Sequence, residues 1–367
     1  MRKIITYLLV LLLIAGFGSY VFAGGTKEEA KAPSKLPIKT TSMDDLIAKA
    51  KKEGVLVSYG LPDDWVNYGG ILKIMRDKYG IKTMDTDMGS GTIISTLKSE
   101  RNAPVADSTD LGFNFATVIT EEKLSQPYKN QHWDEIPDYA KDPNGLWSAA
   151  YWGTIAFTVN MDIVKNIPRT WDDLLKPEYK NMVTIKDPRE SGTANMMVLA
   201  AAYAHGGDVN NIQPGIEYFK KLKKAGNIKP VRPSTSAIQK GEAPIAIFWD
   251  FDGLSKKYSL NMKSLKVVIP QDGTVAGMYI QFITAGAPHP YAARLLIETE
   301  YSDEGQIEYA KGFVHPIRKS VKLPADLAAK FPPAEDYKVV NFVKDAAVLG
   351  KAAKAIAKAW DEVAAIQ

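Results

Sequence analysis

The sequence contains no cysteine, only four histidines and only one long apolar run. Without cysteine the chain forms no disulfide, and no lipid can be attached to a cysteine near its N-terminus. The histidines lack the spacing of metal ligands, so a zinc site is not indicated. The formal net charge is only +4, whereas proteins that bind nucleic acid need a strong basic excess. These absences point away from a disulfide scaffold, a zinc protein and a nucleic-acid partner.

The one long apolar run lies at the N-terminus. The basic pair Arg2-Lys3 precedes it, it covers residues 4–15, and Val21-Phe22-Ala23 follows. A basic start, an apolar stretch and a small-x-small-like site are typical of a secretory signal peptide. The alternative is an uncleaved membrane anchor, since residues 4–23 are about long enough to span a bilayer. We predict a cleaved signal peptide at residues 1–23 and a mature protein in the periplasm, outside the cytoplasmic membrane.

Helix and strand patterns alternate along the rest of the chain. Residues 24–41 are polar and contain prolines, which indicates a flexible lead-in. Ser42 then begins a helix with a sequence like a capping box, and Gly54 ends it. Apolar strands alternate with amphipathic helices down to a terminal helix at 352–366. The alternation predicts an α/β protein with mostly parallel strands. The length of 367 residues predicts two lobes rather than one core.

Several stretches resemble one known family, in the order expected for it. They are AKAKKEGVLVSY (48–59), MGSGTIISTLKSE (88–100), GTIAFTVN (153–160), PRTWDDLLKPEYKNMVTIKDP (168–188) and SDEGQIEYAKGFVHPIR (302–318). On these residues the chain is similar to the extracellular solute-binding proteins of ABC importers. Within them it resembles the ferric-binding-protein-like branch, whose members bind iron(III), phosphonates, sugar phosphates or polyamines.

The resemblance implies a fold and a function. The fold is the two-lobed periplasmic-binding-protein fold of type II, with two crossover strands at the hinge. Lobe one would comprise residues 42–155 and 281–367, and lobe two residues 156–280. The protein would be a monomeric receptor without a cofactor, not an enzyme. It would close on one small solute and present it to a membrane permease. The sequence is also compatible with a receptor that presents its solute to a sensor protein instead of a permease.

Two serine-glycine turns have the chemistry to bind an anion. Ser90-Gly91-Thr92 and Ser191-Gly192-Thr193 each follow a strand and open a helix. Helix N-termini present unpaired N–H groups and a positive dipole end, and the hydroxyls add donors. In iron-binding relatives the second turn holds a phosphate or carbonate. Ordinary helix capping is the alternative role for such residues. We predict that both turns bind a solute that carries phosphate or phosphonate.

Aromatic and acidic residues alternate in FWDFDG, residues 248–253. We expect Trp249 to cover the solute, and Asp250 and Asp252 to bind an amine or hydroxyl groups. Asp64 and Trp65, in the loop after the first strand, are expected to add contacts. Alternatively, one aspartate of the pair caps the next helix and Trp249 belongs to the core. The loop with Asp64 and Trp65 would then be a solvated turn. Together with the two turns, the acidic pair favours an anionic or zwitterionic solute.

Ferric iron is the alternative solute. Iron-binding members of the family carry adjacent tyrosines shortly after a Gly-Glu-Ala segment. The matching positions here are Phe251 and Asp252, and phenylalanine cannot bind a metal. An iron site would therefore need an unfamiliar cluster of tyrosines, for which Tyr59, Tyr151 and Tyr279 are the candidates.

A secreted phosphatase of the haloacid-dehalogenase type is a minor alternative. The segment FWDFDG imitates the first motif of those enzymes, in which Asp250 would attack phosphorus and Asp252 would transfer a proton. Leu254 stands where that motif has threonine, and no acidic pair that suits Mg²⁺ follows downstream. Motifs of serine hydrolases, zinc proteases and P-loop enzymes are also missing.

Overall fold

The computed structural model describes residues 37–40 and 42–366. The helices are α1 Met43–Glu53, α2 Tyr68–Asp77, α3 Ser90–Ser99, α4 Ala116–Glu121, α5 Gly192–Ala204, α6 Gln213–Lys224, α7 Thr235–Gln239, α8 Asp250–Tyr258, α9 Pro290–Tyr301, α10 Asp303–Lys311, α11 Ala325–Ala328 and α12 Ala346–Ala364. The strands are β1 Val55–Tyr59, β2 Lys82–Thr86, β3 Ser108–Gly112, β4 Ser125–Gln126, β5 Ser148–Asn160, β6 Val183–Thr184, β7 Ile245–Trp249, β8 Leu265–Val268, β9 Thr274–Thr284, β10 His315–Pro316 and β11 Val340–Phe342.

One continuous series of paired strands runs through the fold, in the order β2-β1-β3-β9-β5-β7-β6. Strand β1 is parallel to β2 and β3, and β6 is parallel to β7. The two long strands β5 and β9 are antiparallel to each other and to their neighbours β7 and β3. The α/β class is confirmed. The prediction of mostly parallel strands is wrong, because the long strands run against their neighbours on this path.

Strands β5 and β9 connect the two halves of this series. The first part of β5 pairs with β9 as far as Thr154, and the residues from Ile155 onward pair with β7 and β8. Nearly all residues of both strands are buried, which suits the apolar composition of each. Both strands therefore lie at the centre of the molecule, where the crossover was expected. The lobe limits at residues 155/156 and 280/281 stay predictions.

Local sequence signals place the ends of the helices. The Ser42 hydroxyl accepts a hydrogen bond from the Asp45 N–H group, and Gly54 ends α1 with φ of 70°. This left-handed backbone conformation is favourable for glycine, which has no Cβ. The predicted limits of this first helix are confirmed.

The folded part of the chain begins before Ser42. Lys39 forms a β-bridge with Lys129, and the Thr40 hydroxyl lies 2.7 Å from the Tyr128 hydroxyl. Residues 38–40 thus contact the main fold, although they were assigned to the lead-in. The predicted signal peptide and residues 24–36 of the lead-in lie outside the described residues. Within residues 37–40 and 42–366, no helix is both long and apolar enough to cross a membrane.

The C-terminal helix α12 contacts elements from both halves of the fold. It is longer than the predicted helix at 352–366, because Asp345 caps its N-terminus. It packs against α4 and the turn at Phe113–Phe115, and also against α5 and α6. Near its end, Asp361 pairs with Arg189 at 2.8 Å. This position makes one face of α12 a wall of the cavity described next.

Candidate functional site

Both serine-glycine turns line one cavity of about 490 Å³, which we call the turn cavity. The first turn forms the N-terminus of α3, and the second forms the N-terminus of α5. Two helix N-termini from different halves of the fold therefore face the same space, each with unpaired N–H groups. An apolar face of α12 forms another wall, through Leu349, Ala352, Ala353 and Ile356.

The serine hydroxyls of the two turns accept hydrogen bonds from the backbone. Ser191 Oγ accepts from the Ala194 N–H group at 3.4 Å, and Ser90 Oγ accepts from the Gly112 N–H group at 3.2 Å. Neither hydroxyl donates to another residue within the part of the chain that the structure describes. A hydroxyl can accept and donate at once. Capping and anion binding are therefore compatible roles for these residues.

Trp249 lines the turn cavity at the end of β7. Its side chain is 3% exposed, and its Nε1 makes no hydrogen bond of normal geometry among the described residues, although the Tyr279 hydroxyl is near enough for a weak one. A buried donor without a partner costs about 1–3 kcal/mol. The indole N–H group is therefore available to an oxygen atom of a solute. Gly277 of β9 lies directly against the same ring.

Replacing Gly277 by alanine is expected to displace Trp249. A Cβ at Gly277 would lie 2.1 Å from Cη2 of Trp249, whereas a Cβ at Gly91 would meet nothing within 4 Å. Overpacking of this kind costs about 1–3 kcal/mol. Gly277→Ala should lower the free energy of unfolding by that amount and shift the tryptophan emission, as measured by denaturation followed by fluorescence. Gly91→Ala, in the same cavity wall, is the control. Equal stability of the two variants would contradict this packing.

A second cavity, of about 680 Å³, adjoins the first, and we call it the acidic cavity. The two cavities share Gly89, Ser90 and Tyr279. The predicted site residues Asp64, Trp65 and Asp252 all line the acidic cavity. The structure thus brings the residues of the turns and those of the acidic segments to two neighbouring cavities with shared wall residues.

The two cavities differ in charge. The acidic cavity is lined by five aspartates and two lysines, namely Asp63, Asp64, Asp87, Asp110, Asp252, Lys256 and Lys311. Both lysines have carboxylate partners, since Lys256 lies 3.5 Å from Asp252 and Lys311 pairs with Glu308. The turn cavity is lined by one arginine and one glutamate in addition to the helix N-termini. The turn cavity therefore favours anions, whereas the acidic cavity favours cations.

Asp110 is a carboxylate that the sequence analysis missed. It is 5% exposed and lines the acidic cavity. Its Oδ2 accepts from Trp65 Nε1 at 3.0 Å and from the Tyr151 hydroxyl at 2.8 Å, and its Oδ1 accepts from Gln281 Nε2 at 2.6 Å. Burial raises the pKa of Asp110 to about 7, although these hydrogen bonds act in the opposite direction. Asp110 lies in β3, a buried strand rich in polar residues, which a search for apolar strands does not find.

Asp250 is not placed for contact with a solute. It is fully buried, and its carboxylate accepts from the N–H groups of Thr154 and Phe251, both at 2.9 Å. It also lies 3.2 Å from His315 Nε2 and accepts from the Tyr337 hydroxyl at 3.1 Å. Asp250 lines neither cavity. The predicted role of Asp250 in binding is corrected to a structural one, in which it joins α8 to β5 and β10. This position also removes the support for Asp250 as a phosphatase nucleophile.

The three tyrosines considered for iron do not form one cluster. The Tyr59 hydroxyl donates to Glu100 at 2.9 Å, whereas the Tyr151 hydroxyl donates to Asp110. The rings of Tyr151 and Tyr279 stack at 5.3 Å, but of the three tyrosines only Tyr279 lines either cavity. Burial raises the pKa of Tyr279, which disfavours the phenolate that binds Fe(III). No group of three histidine, cysteine or acidic side chains within the described residues could hold a metal ion.

Comparison with known proteins identifies the family of the chain. Residues 110–346 match the family described as bacterial extracellular solute-binding proteins. A periplasmic protein of Salmonella typhimurium, provisionally named for binding 2-aminoethylphosphonate, is 25% identical over 259 residues. That alignment covers 67% of this chain and 72% of the Salmonella protein.

Solved structures share the fold. The periplasmic binding protein AfuA of Actinobacillus pleuropneumoniae, with fructose-6-phosphate bound, matches with a TM-score of 0.71 and 25% identity, over 86% of this chain and 100% of AfuA. Apo ferric ion-binding protein A of Pasteurella haemolytica matches with a TM-score of 0.68 and 18% identity, over 85% of this chain and 98% of that protein. These likenesses confirm the predicted two-lobed fold and the predicted branch. Since the family match extends over more than half of the sequence, the chain belongs to the bacterial extracellular solute-binding proteins.

Proposed function

We propose that this solute-binding receptor of an ABC importer holds a phosphate or phosphonate group of its solute between the two serine-glycine turns. The observation that carries the proposal is that both turns, from separate halves of the fold, line one cavity. The unpaired N–H groups of α3 and α5 would bind the oxyanion, and the hydroxyl protons of Ser90 and Ser191 would add two more donors. The Trp249 N–H group would donate to another oxygen of the solute.

The named relatives support this class of solute. One is provisionally named for 2-aminoethylphosphonate, and the other was solved with fructose-6-phosphate. Both compounds combine a phosphorus oxyanion with a small polar remainder. A cavity of about 490 Å³ with a second polar cavity beside it suits such a molecule.

The proposed mechanism is closure of the two lobes on the solute. One turn would belong to lobe one, at residues 42–155 and 281–367, and the other to lobe two, at residues 156–280. An oxyanion bound by both turns has more contacts in the closed form, so it shifts the population toward that form. The closed receptor would then deliver the solute to the membrane permease. The proposal includes export by a signal peptide at residues 1–23 and a monomeric receptor.

A thermal-shift screen tests the class of solute. The chain from residue 24 onward would be heated with phosphate, 2-aminoethylphosphonate, fructose-6-phosphate, spermidine or ferric citrate. A ligand at 100 times its dissociation constant stabilises the folded state by about 2.7 kcal/mol, because it binds only that state. We expect the unfolding temperature to rise with a phosphonate or phosphate ester. A rise with ferric citrate alone would instead support the iron alternative, through tyrosines other than the three considered.

A further inference from the structure

We propose that the solute is a zwitterion and that the carboxylate of Asp110 binds its ammonium group in the acidic cavity. This inference rests on the proposed function, because the phosphorus oxyanion at the turns is taken as the other end of the solute. The class of solute is thus a short aminoalkyl phosphonate or phosphate.

Asp110 is a buried carboxylate whose contacts are all with neutral donors. These donors are Trp65, Tyr151 and Gln281. Within the described part of the chain, Asp110 forms no ion pair, although two lysines line the same cavity. A buried charge without a counter-charge is costly, and an ammonium group would supply the counter-charge.

The surroundings of Asp110 also suit an ammonium group. The Trp65 ring contacts the rings of Phe251 and Tyr279 at centroid distances of 5.4 and 5.5 Å, and all three residues line the acidic cavity. Faces of aromatic rings attract cations. An amine in this cavity would therefore meet both a carboxylate and aromatic rings.

An independent observation points to a solute at the junction of the cavities. Trp249 is more than nine-tenths buried and lines the turn cavity, and its Nε1 makes no hydrogen bond of normal geometry among the described residues. Its ring lies 6.4 Å, between centroids, from the ring of Tyr279, which lines both cavities. A solute oxygen near this junction would accept from Trp249 while the ammonium group extends toward Asp110.

The register of β3 sets how far apart the two ends of the solute lie. Gly112 donates to Ser90 Oγ of the first turn, and Asp110 precedes Gly112 by two residues in the strand. Residues two apart in a strand are separated by about 7 Å along it. The oxyanion turn and the carboxylate therefore lie close enough for one small molecule to reach both.

The test compares two ligands that differ in the amine alone. Titration calorimetry would measure the affinities of the wild-type protein and of Asp110→Asn for 2-aminoethylphosphonate and for ethylphosphonate. We expect the wild-type protein to prefer the amine by at least about tenfold, since a hydrogen bond between charged groups contributes about 1.5–3 kcal/mol. Asp110→Asn should lose this preference while its affinity for ethylphosphonate is kept.

Asp107→Asn is the matched control. Asp107 is also a buried, hydrogen-bonded aspartate, and it accepts from Val57 and His289 outside both cavities. It should lose stability without a change in the preference for the amine. The proposal fails if Asp110→Asn keeps the preference, or if it weakens the binding of both compounds equally.

Two further results separate this inference from the proposed function. Equal binding of both compounds by the wild-type protein would overturn the inference and leave the oxyanion site standing. If the wild-type protein binds neither compound and no phosphate ester, the proposed function itself is overturned. If Asp110→Asn does not fold, a crystal structure of the wild-type protein with 2-aminoethylphosphonate shows whether Asp110 binds the ammonium group. An ammonium nitrogen about 3 Å from Asp110 supports the inference, and an ammonium group bound elsewhere overturns it.

Discussion

Ser191→Leu should bind a phosphate or phosphonate solute at least about 100-fold more weakly than the wild-type protein, while it remains folded. The change removes a hydroxyl donor and places an apolar side chain beside the N–H groups at the start of α5. Each hydrogen bond to a charged oxygen contributes about 1.5–3 kcal/mol, so two lost bonds suffice for this effect. The loss of the N-cap should lower the free energy of unfolding by only about 1 kcal/mol. Titration calorimetry measures the affinity, and thermal unfolding measures the stability.

Ser234→Leu provides the control for the loss of a cap. Ser234 caps α7 as Ser191 caps α5, and its hydroxyl accepts from the Ala237 N–H group at 3.1 Å. It lines neither the turn cavity nor the acidic cavity. Both variants should lose a similar amount of stability, but only Ser191→Leu should lose binding. Wild-type affinity in Ser191→Leu would show that the turn is a helix cap and nothing more.

Asp250→Ala should lower the free energy of unfolding by about 3–5 kcal/mol, because several buried donors would lose their acceptor at a cost of about 1–3 kcal/mol each. The carboxylate accepts from two backbone N–H groups and from Tyr337, and these donors would lose their acceptor in the interior. Asp250→Asn should be less harmful, because its amide oxygen can still accept from the two N–H groups. Chemical denaturation of the three proteins measures the difference. A loss in Asp250→Ala no larger than at an exposed aspartate would contradict this structural role.

The Asp250→Asn variant also tests whether the protein is a receptor or a phosphatase. If Asp250 were a nucleophile, the wild-type protein would release phosphate from a generic ester in the presence of Mg²⁺, and Asp250→Asn would not. We expect no such difference between the two proteins. Asp250→Asn should still bind the solute, since residue 250 lines neither cavity.

Much of the site could be predicted because its signals are local. A serine or threonine beside glycine at the start of an apolar helix identifies an N-cap and a possible anion site without any distant contact. Both such turns begin helices in the structure, and both line the same cavity. Asp64 and Trp65 were predicted from the loop after the first strand, and Asp252 from the alternation of acidic and aromatic residues in its segment. All three line the acidic cavity, and their contact with a solute stays a prediction.

The roles of the two buried aspartates could not be predicted in this way. Asp250 and Asp252 stand in the same short motif, but one is buried against Thr154 and Tyr337 while the other lines a cavity. Asp110 contacts Trp65, Tyr151 and Gln281, which are distant in sequence. Only the folded chain brings these partners together, so no local pattern distinguishes a structural carboxylate from one that lines a cavity.

By itself, the sequence identified the family, through stretches that resemble its members. It also determined the α/β class, the helix that begins at Ser42 and the two serine-glycine turns at helix N-termini. The class, the helix and the turns depend on composition, periodicity and capping, which act over a few residues. The tertiary structure alone decided the antiparallel course of β5 and β9, the burial of Asp250, the position of Asp110 and the wall formed by α12. Each of these depends on contacts between residues far apart in the chain, whose free energies are realised only when the whole fold has formed.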